Sequence, residues 1–261
     1  MRNMFTFRTA TISFFGVLAT MNILAFCGVH VPWICYAGLV TLYLGISVGM
    51  SFRIRSGFHM KAYCHGNLYE KKIALTFDDG PERRPTAAVL DVLKTFQVPA
   101  TFFCIGHKLN GSEELVRRIH DEGHLVGAHS FSHSDWFDFF KPNQMRREFD
   151  QTNILFEGII QKHPRFFRPP YGVVNPMVKN ALKNSGYYLI GYSNRAFDTS
   201  AKNKTAIIRR LQRNLKNGDV ILLHDTVKVM PDVLKEFIPY AQEKGYSFVH
   251  LDKLLSLPAY E

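Results

Sequence analysis

The sequence contains few cysteines and no paired cysteine motif. Only four cysteines occur in 261 residues, and none belongs to a CxxC pair: Cys27, Cys35, Cys64 and Cys104. This pattern excludes a disulfide framework and a zinc knuckle. Because 46% of the residues are hydrophobic, a disordered chain is excluded as well. The length fits one domain of ordinary size together with an additional segment.

Acidic residues are absent from the first 60 positions. The chain has 32 Lys and Arg against 22 Asp and Glu, a net charge of +10, yet residues 1–60 contain four arginines and no acid. The rest of the chain therefore has 28 basic and 22 acidic residues, a net charge of only +6. No nucleic-acid recognition module and no glycine-rich phosphate loop is found, so we expect no nucleic-acid partner. A basic surface favours anionic lipid headgroups.

A long stretch without any charge lies between Arg8 and Arg53. Its 44 residues would form about 66 Å of helix, whereas one bilayer crossing needs about 30 Å. We therefore predict an integral membrane anchor at residues 1–52, with spans at 10–29 and 31–50. A cleaved signal peptide is an alternative for the first span, and a buried soluble hairpin is an alternative for both. The lack of a polar face on either helix favours the anchor.

The charges that flank the two spans predict the side of the membrane. The connecting loop has neither Lys nor Arg, whereas basic residues lie before the first span and after the second: Arg2, Arg8, Arg53, Arg55 and Lys61. The positive-inside rule then places both ends of the anchor in the cytoplasm. Residues 53–70 are predicted to link the anchor to the rest of the chain, and no pattern indicates an oligomeric state.

From residue 71 onwards, short apolar runs alternate with amphipathic stretches. Seven runs are strand candidates: 73–77, 101–105, 125–129, 165–168, 188–192, 220–224 and 247–250. Strands that alternate with helices are typical of parallel β/α architectures. We therefore predict an α/β domain at residues 71–261, built on a parallel sheet or barrel.

Polar side chains follow five of the seven strand candidates, at the point where each strand ends. They are Asp78 and Asp79, His129 and His133, Arg168, Asp198, and His224. In parallel β/α folds the carboxyl ends of the strands face one mouth, so these side chains are expected to meet there.

Two of these groups have the chemistry of a metal site. Asp78 and Asp79, in TFDDGP, would repel each other unless one of them binds a cation. His129 and His133, in HSFSH, are four residues apart and can reach one ion. An ordinary Asp-Asp-Gly turn and a structural histidine pair are the alternatives. Two imidazoles and one carboxylate leave positions open for water and substrate, which is typical of a catalytic metal site.

Four motifs, in their order along the chain, resemble those of the polysaccharide deacetylase family, the NodB-homology domain of carbohydrate esterase family four. They are TFDDGP at 76–81, HSFSH at 129–133, RPPYG at 168–172 and LLHD at 222–225. The likeness covers about residues 71–255. It implies metal-dependent removal of an N- or O-acetyl group from an amino-sugar glycan, on a distorted (β/α) barrel of about seven parallel strands. Zn²⁺ is the expected ion, with Co²⁺, Ni²⁺ and Mn²⁺ as alternatives.

The resemblance implies a role for each matching residue. Asp78 is similar to the family's general base and Arg168 to the arginine that orients it. Asp79, His129 and His133 are similar to its metal ligands.

The resemblance also implies which residues stabilise the oxyanion and protonate the leaving group. The resemblance implies an oxyanion donor in the backbone N–H of Tyr171 and a wall of the acetyl pocket in Leu222. His224 is similar to the general acid, and Asp198 to the acidic residue that pairs with it. Asp198 has the alternative of a helix cap.

One departure from the family pattern concerns the acetyl pocket. Members usually have an aromatic residue directly after the acidic residue, whereas this chain has Thr199 there and Arg195 upstream. Phe197 and Trp136 are the candidates for the missing apolar surface.

The substrate and the activity have alternatives at this point. A domain in the cytoplasm favours a lipid-linked sugar precursor, whereas a domain outside favours a wall or capsule polymer. The same residues would also suit another amide, such as a formamido sugar or a cyclic ureide. An inactive carbohydrate-binding protein on the same fold is the alternative from a different class.

Overall fold

The structure, a computed structural model, describes residues 5–201 and 203–261. Two long apolar helices come first, α1 (Phe7–Phe26) and α2 (Trp33–Ser51). An α/β domain of eight strands follows them. Arg2, one of the charges used to predict the side of the membrane, lies outside the described residues.

The strands form one curled half-barrel in which every described pairing is parallel. They are β1 (Lys72–Asp78), β2 (Ala100–Cys104), β3 (Leu125–Ala128), β4 (Phe166–Phe167), β5 (Tyr188–Leu189), β6 (Asn194–Arg195), β7 (Val220–His224) and β8 (Ser247–Phe248). Their order is β5-β4-β3-β2-β1-β7-β6, and β8 pairs with the start of β1. The predicted fold class is confirmed.

Eight further helices belong to the domain, and several of them cover the sheet. They are α3 (Arg83–Phe96), α4 (Gly106–Leu109), α5 (Glu113–Asp121), α6 (Pro142–Ile160), α7 (Pro176–Leu182), α8 (Lys204–Asn214), α9 (Met230–Glu243) and α10 (Leu251–Leu255). The largest buried cluster joins β1, β2 and β7 to α3, α5, α8 and α9. Because both faces of the central strands are covered, six of the seven residues of β1 are buried.

All seven strand candidates contain a strand, but the sequence missed β6. This strand has only two residues, Asn194 and Arg195, and lacks the apolar run by which the other strands were found. Pairing with β7, with Arg195 opposite Leu222, establishes it as part of the sheet. The candidates for β4, β5 and β8 were too long, since each of these strands has two residues.

The two apolar helices lie close to the predicted spans and expose most of their surface. Each has a mean hydropathy of 1.6 and is long enough to cross a bilayer, and little of either helix is buried against the rest of the chain. A core helix of a soluble protein would be mostly buried, so the soluble hairpin has little support. Pro32 lies directly before α2, within the predicted turn.

The segment between α2 and the sheet is held to the domain by isolated β-bridges. Tyr63 pairs with Ile190 next to β5, and His65 pairs with Asp219 next to β7. At the base of the helical hairpin, the Val174 N–H donates to the Ser51 carbonyl over 2.9 Å. The hairpin therefore joins the domain close to the RPPYG motif.

A buried histidine supports the start of β2. His124 is almost inaccessible to solvent, and its Nδ1 accepts a hydrogen bond from the Ala100 N–H over 3.2 Å. Burial lowers the pKa of His124 to about 4 from the ordinary value of 6.5, because the charged imidazolium loses its hydration.

We expect the folded state to lose stability through His124 as the pH falls from about 6.5 towards 4. The unfolded chain binds the proton first in this window, so the free energy of unfolding decreases as the pH decreases. Between pH 7.5 and 5 this group should contribute a loss of about 2 kcal/mol. In His124→Asn, the amide oxygen can still accept the Ala100 N–H but does not titrate. Chemical denaturation of both full-length chains at the two pH values measures the difference, and equal losses would contradict the prediction.

Candidate active site

The sheet brings the predicted site residues together at the carboxyl ends of its strands. Asp78 ends β1 and lies opposite His224, which ends β7. His129 directly follows β3, and Arg168 directly follows β4. These residues surround a cavity of about 260 Å³, which we call the active-site cavity. It is lined by Asp78, Asp79, His129, His133, Arg168, Tyr171, Gly172, Tyr192, Arg195, Thr199, Leu222 and His224.

Asp79, His129 and His133 form a group that suits a divalent metal ion. One oxygen of Asp79 lies 3.4 Å from His129 Nε2 and 3.3 Å from His133 Nε2. The ligand atoms of the three residues all lie within 4.8 Å of one another. Burial raises the pKa of the Asp79 carboxyl, but its contacts with the two imidazoles outweigh this effect, so the net shift is downward. An ionised carboxylate between two imidazoles matches the charge that a cation needs.

The orientation of His129 supports the same interpretation. Its Nδ1 lies 2.7 Å from the carbonyl oxygen of Arg168, which can only accept a hydrogen bond. Nδ1 therefore carries a proton, so Nε2 is the ring nitrogen that faces Asp79 and could bind a metal ion. A metal-ligating histidine is usually held in this way by a hydrogen bond from its second ring nitrogen.

Backbone strain is concentrated around these ligands. Asp79, Ser130, His133 and Tyr171 have φ angles of 73°, 60°, 48° and 58°, in the left-handed region that favours glycine. Such residues cost roughly 1–3 kcal/mol each and persist only where the surroundings hold them. The Lys108 Nζ donates to the Asp79 carbonyl, and the Ser130 hydroxyl accepts the N–H of His133.

Glu148 is a supporting residue that the sequence analysis missed. It lies on α6, is buried, and uses one carboxylate oxygen to accept three hydrogen bonds, from the N–H groups of Phe131 and Ser132 and from the Ser132 hydroxyl. The HSFSH loop between the two histidine ligands is thereby fixed to α6. No spacing or motif signals this role, because Glu148 lies 17 residues from Phe131 in an ordinary amphipathic helix.

Asp78 and Arg168 form a buried ion pair. Arg168 Nη1 lies 2.7 Å from Asp78 Oδ1, and the same guanidinium donates to the Thr76 hydroxyl and the Gly191 carbonyl. Arg168 is only 1% exposed. The pairing fixes the orientation of the Asp78 carboxylate, since a buried charge needs several partners at once.

Asp198 pairs with His224 and does not cap a helix with its side chain. One carboxylate oxygen lies 2.9 Å from His224 Nδ1, and the other accepts the backbone N–H of His224 over 2.7 Å. Burial lowers the pKa of His224, but the bond and the charge of Asp198 outweigh it and raise this pKa to about 9. The imidazole is thus held in its protonated form, with Nε2 facing the cavity.

Tyr171 and Leu222 both line the active-site cavity. Tyr171 is half exposed, and its hydroxyl donates to Asp135 over 2.5 Å. Thr199 also lines the cavity, whereas neither Phe197 nor Trp136 is among the described residues that line it. Neither aromatic candidate therefore forms part of the cavity wall, although the ring of Phe197 lies 4.7 Å from the guanidinium carbon of Arg195, which does.

Comparison with known proteins agrees with this geometry. The family model described as polysaccharide deacetylase matches residues 65–190. The peptidoglycan-N-acetylmuramic acid deacetylase PdaA of Bacillus subtilis is 34% identical over 198 residues, which cover 74% of this chain and 75% of its own. A peptidoglycan-N-acetylglucosamine deacetylase of Bacillus cereus is 33% identical over 195 residues, which cover 71% of this chain and 89% of its own.

A solved structure matches as well. The crystal structure of the Bc1960 peptidoglycan N-acetylglucosamine deacetylase superimposes with a TM-score of 0.72 at 29% identity, covering 77% of this chain and 95% of its own. This structure and the relatives above 30% identity agree on the family. The chain belongs to the polysaccharide deacetylase family and is a hydrolase of carbon–nitrogen bonds other than peptide bonds.

Proposed function

We propose that this polysaccharide deacetylase is anchored in a membrane and requires a divalent metal ion to hydrolyse the acetamido group of an amino sugar in a glycan. One observation supports the proposal most directly: a candidate metal triad, the ion pair of Asp78 with Arg168, and His224 all line the same cavity, and the buried Asp198 pairs with His224 from behind. In the proposed hydrolysis the triad binds the metal ion, Asp78 acts as general base and His224 acts as general acid.

Asp79, His129 and His133 are the residues that would hold the ion. Two imidazoles and a carboxylate suit Zn²⁺ best, and Co²⁺, Ni²⁺ and Mn²⁺ are alternatives. When bound, such an ion supplies polarisation of the acetyl carbonyl and a lower pKa for a neighbouring water.

Asp78 is placed to act as the general base. Arg168 occupies its Oδ1, while Oδ2 lies 3.9 Å from His129 Nε2, on the side of the metal ligands. A carboxylate fixed in this way can accept the proton of the attacking water as the new carbon–oxygen bond forms. Tyr171 lines the same cavity, and its backbone N–H is the proposed donor to the developing oxyanion.

His224 is placed to act as the general acid. Its protonated Nε2 faces the cavity, 3.8 Å from Asp79 Oδ2. When the carbon–nitrogen bond breaks, the nitrogen takes the proton of His224 and leaves as an amine, so that acetate and the free amino sugar are the products. A protonated donor is needed because an amide anion is a very poor leaving group. Leu222 would contact the acetyl methyl group.

The relatives support a sugar of the peptidoglycan type as the substrate. Two of them are named for N-acetylmuramic acid and N-acetylglucosamine in peptidoglycan. The apolar hairpin α1–α2 supports a substrate that is reached from the membrane. In the cytoplasm this would be a lipid-linked precursor, and outside it would be the polymer.

Replacement of Asp78 tests the chemistry. We expect Asp78→Asn to lower kcat for acetate release from peptidoglycan glycan strands by roughly 10²- to 10⁴-fold, because the general base is lost. Zinc binding should remain, since Asp78 is not among the proposed ligands. Asp232→Asn, at an exposed carboxylate on α9, is the matched control and should keep full activity. Acetate release by Asp78→Asn at the wild-type rate would contradict the mechanism. If the wild-type enzyme released formate from formyl amides but no acetate from acetyl amides, the substrate would be a formamido compound instead.

Glu148 provides a test of the metal site that does not depend on activity. In Glu148→Ala the N–H groups of Phe131 and Ser132 lose their acceptor, so the loop that carries the histidine ligands is less ordered. We expect zinc affinity, measured by competition with a chromophoric chelator, to fall roughly 10- to 100-fold. Glu148→Gln keeps an acceptor oxygen and should lose less. Wild-type zinc affinity in a folded Glu148→Ala protein would show that the loop needs no such support.

The connection between α1 and α2 provides a test of membrane topology. With two spans, Cys27 must lie on the opposite side of the membrane from the domain, and the flanking charges predict a cytoplasmic domain. In a Cys35→Ser chain, we expect a membrane-impermeant maleimide to label Cys27 on intact cells while external protease leaves the domain uncut. The reverse pattern would place the domain outside. The two-span anchor would be contradicted if Cys27 and the domain were found on the same side of the membrane. It would also be contradicted if the mature chain were shortened by the loss of α1.

A further inference from the structure

Arg195 lies in the active-site cavity beside the predicted acetyl pocket. It is the second residue of β6 and is in register with Leu222 of β7. Both side chains line the cavity, together with Asp78 and His224. The guanidinium is therefore close to the position where a substrate's acetyl group would bind.

The charge of Arg195 has no carboxylate partner. Among the described residues, every other charged or imidazole side chain that lines the cavity lies within 4.0 Å of a side chain that can carry the opposite charge: Asp78, Asp79, His129, His133, Arg168 and His224. Arg195 makes no such contact in the described part of the chain, and its buried Nε has no hydrogen-bond partner. Its one hydrogen bond, from Nη1 to the Tyr192 hydroxyl, is long at 3.4 Å. A partly buried guanidinium with no carboxylate partner keeps donors free for an anionic ligand, and such a ligand would offset part of the cost of burying the charge.

Two aromatic rings hold this guanidinium in place. Its central carbon lies 4.7 Å from the ring centre of Phe197 and 5.8 Å from that of Tyr192. Phe197 has a left-handed backbone, with φ 53°, and Arg210 donates to its carbonyl. A guanidinium fixed by ring contacts loses little conformational freedom when an anion binds, and its planar donors match the two oxygens of a carboxylate or phosphate.

We propose that Arg195 binds an oxyanion on a sugar carbon next to the carbon that bears the acetamido group. This inference rests on the proposed function and specifies its substrate. In a 2-acetamido sugar the neighbouring carbons are C1 and C3. A phosphate on C1, as in a lipid-linked sugar, and a lactyl carboxylate on O3, as in N-acetylmuramic acid, both bring an anion close to the acetyl group. Polymers of N-acetylglucosamine alone offer neither.

Binding to a catalytically inactive enzyme tests this proposal. The zinc-loaded, full-length Asp78→Asn protein is titrated calorimetrically with two matched pairs of ligands. One pair is N-acetylglucosamine 1-phosphate and N-acetylglucosamine, and the other is an alternating N-acetylglucosamine–N-acetylmuramic acid tetramer and the neutral N-acetylglucosamine tetramer. We expect the charged member of at least one pair to bind at least tenfold more tightly, and the pair concerned identifies phosphate or carboxylate as the anion.

Replacement of Arg195 should remove this preference. When Arg195→Gln is added, the charged and the neutral ligand of the pair should bind with affinities within about twofold of each other. When Arg195→Lys is added instead, the preference for the charged ligand should lie between that of Arg195 and that of Arg195→Gln. Arg209→Gln removes one exposed positive charge on α8 and should leave the ratio unchanged. Equal affinities in both pairs, or a preference that survives Arg195→Gln, would overturn the proposal. These outcomes do not depend on acetate release, so failure of the proposed function is recognised separately by an inactive wild-type enzyme.

Discussion

Two neighbouring carboxylates, Asp78 and Asp79, stand at the end of the central strand and cannot share one environment. Because the two carboxylates are adjacent, the negative charge of one raises the free energy needed to ionise the other. The structure gives them different closest partners, since Arg168 lies 2.7 Å from Asp78 whereas Asp79 lies between His129 and His133. The left-handed backbone of Asp79 separates the two side chains. The rest of the cavity is arranged around this division.

The different surroundings of Asp78 and Asp79 are maintained by residues from several distant elements. The strained loop that carries His129 and His133 is fixed by Glu148 of α6, and the backbone of Asp79 is fixed by Lys108 of α4. Behind the same turn, the buried Asp225 accepts a hydrogen bond from Thr86 and leaves no room for a side chain at Gly80. Strained residues at a functional site depend on such surroundings, because the loop alone would relax to an ordinary backbone conformation.

The attachment of the apolar hairpin is part of the same architecture. The segment after α2 adds bridges beside β5 and β7, and Gly191 packs so closely against Cys64 that no side chain fits there. Gly191 also offers its carbonyl to Arg168. The residues that follow the hairpin therefore contact Gly191, which accepts a hydrogen bond from Arg168, and Arg168 in turn orients Asp78.

The sequence by itself determined the alternation of strands and helices, the two apolar helices, and the residues that meet at the carboxyl ends of the strands. These features are local, because periodicity, strand ends and the motifs TFDDGP, HSFSH and RPPYG can each be recognised within a few positions. The family resemblance implied the pairs Asp78–Arg168 and His224–Asp198, but no local pattern predicts them, and only the tertiary structure shows the contacts. Asp78 and Arg168 are 90 residues apart, and Glu148 supports a loop 16 and 17 residues away, so neither contact follows from spacing. The two-residue strand β6 likewise exists only through its pairing with β7, and that pairing places the unpaired charge of Arg195 in the cavity.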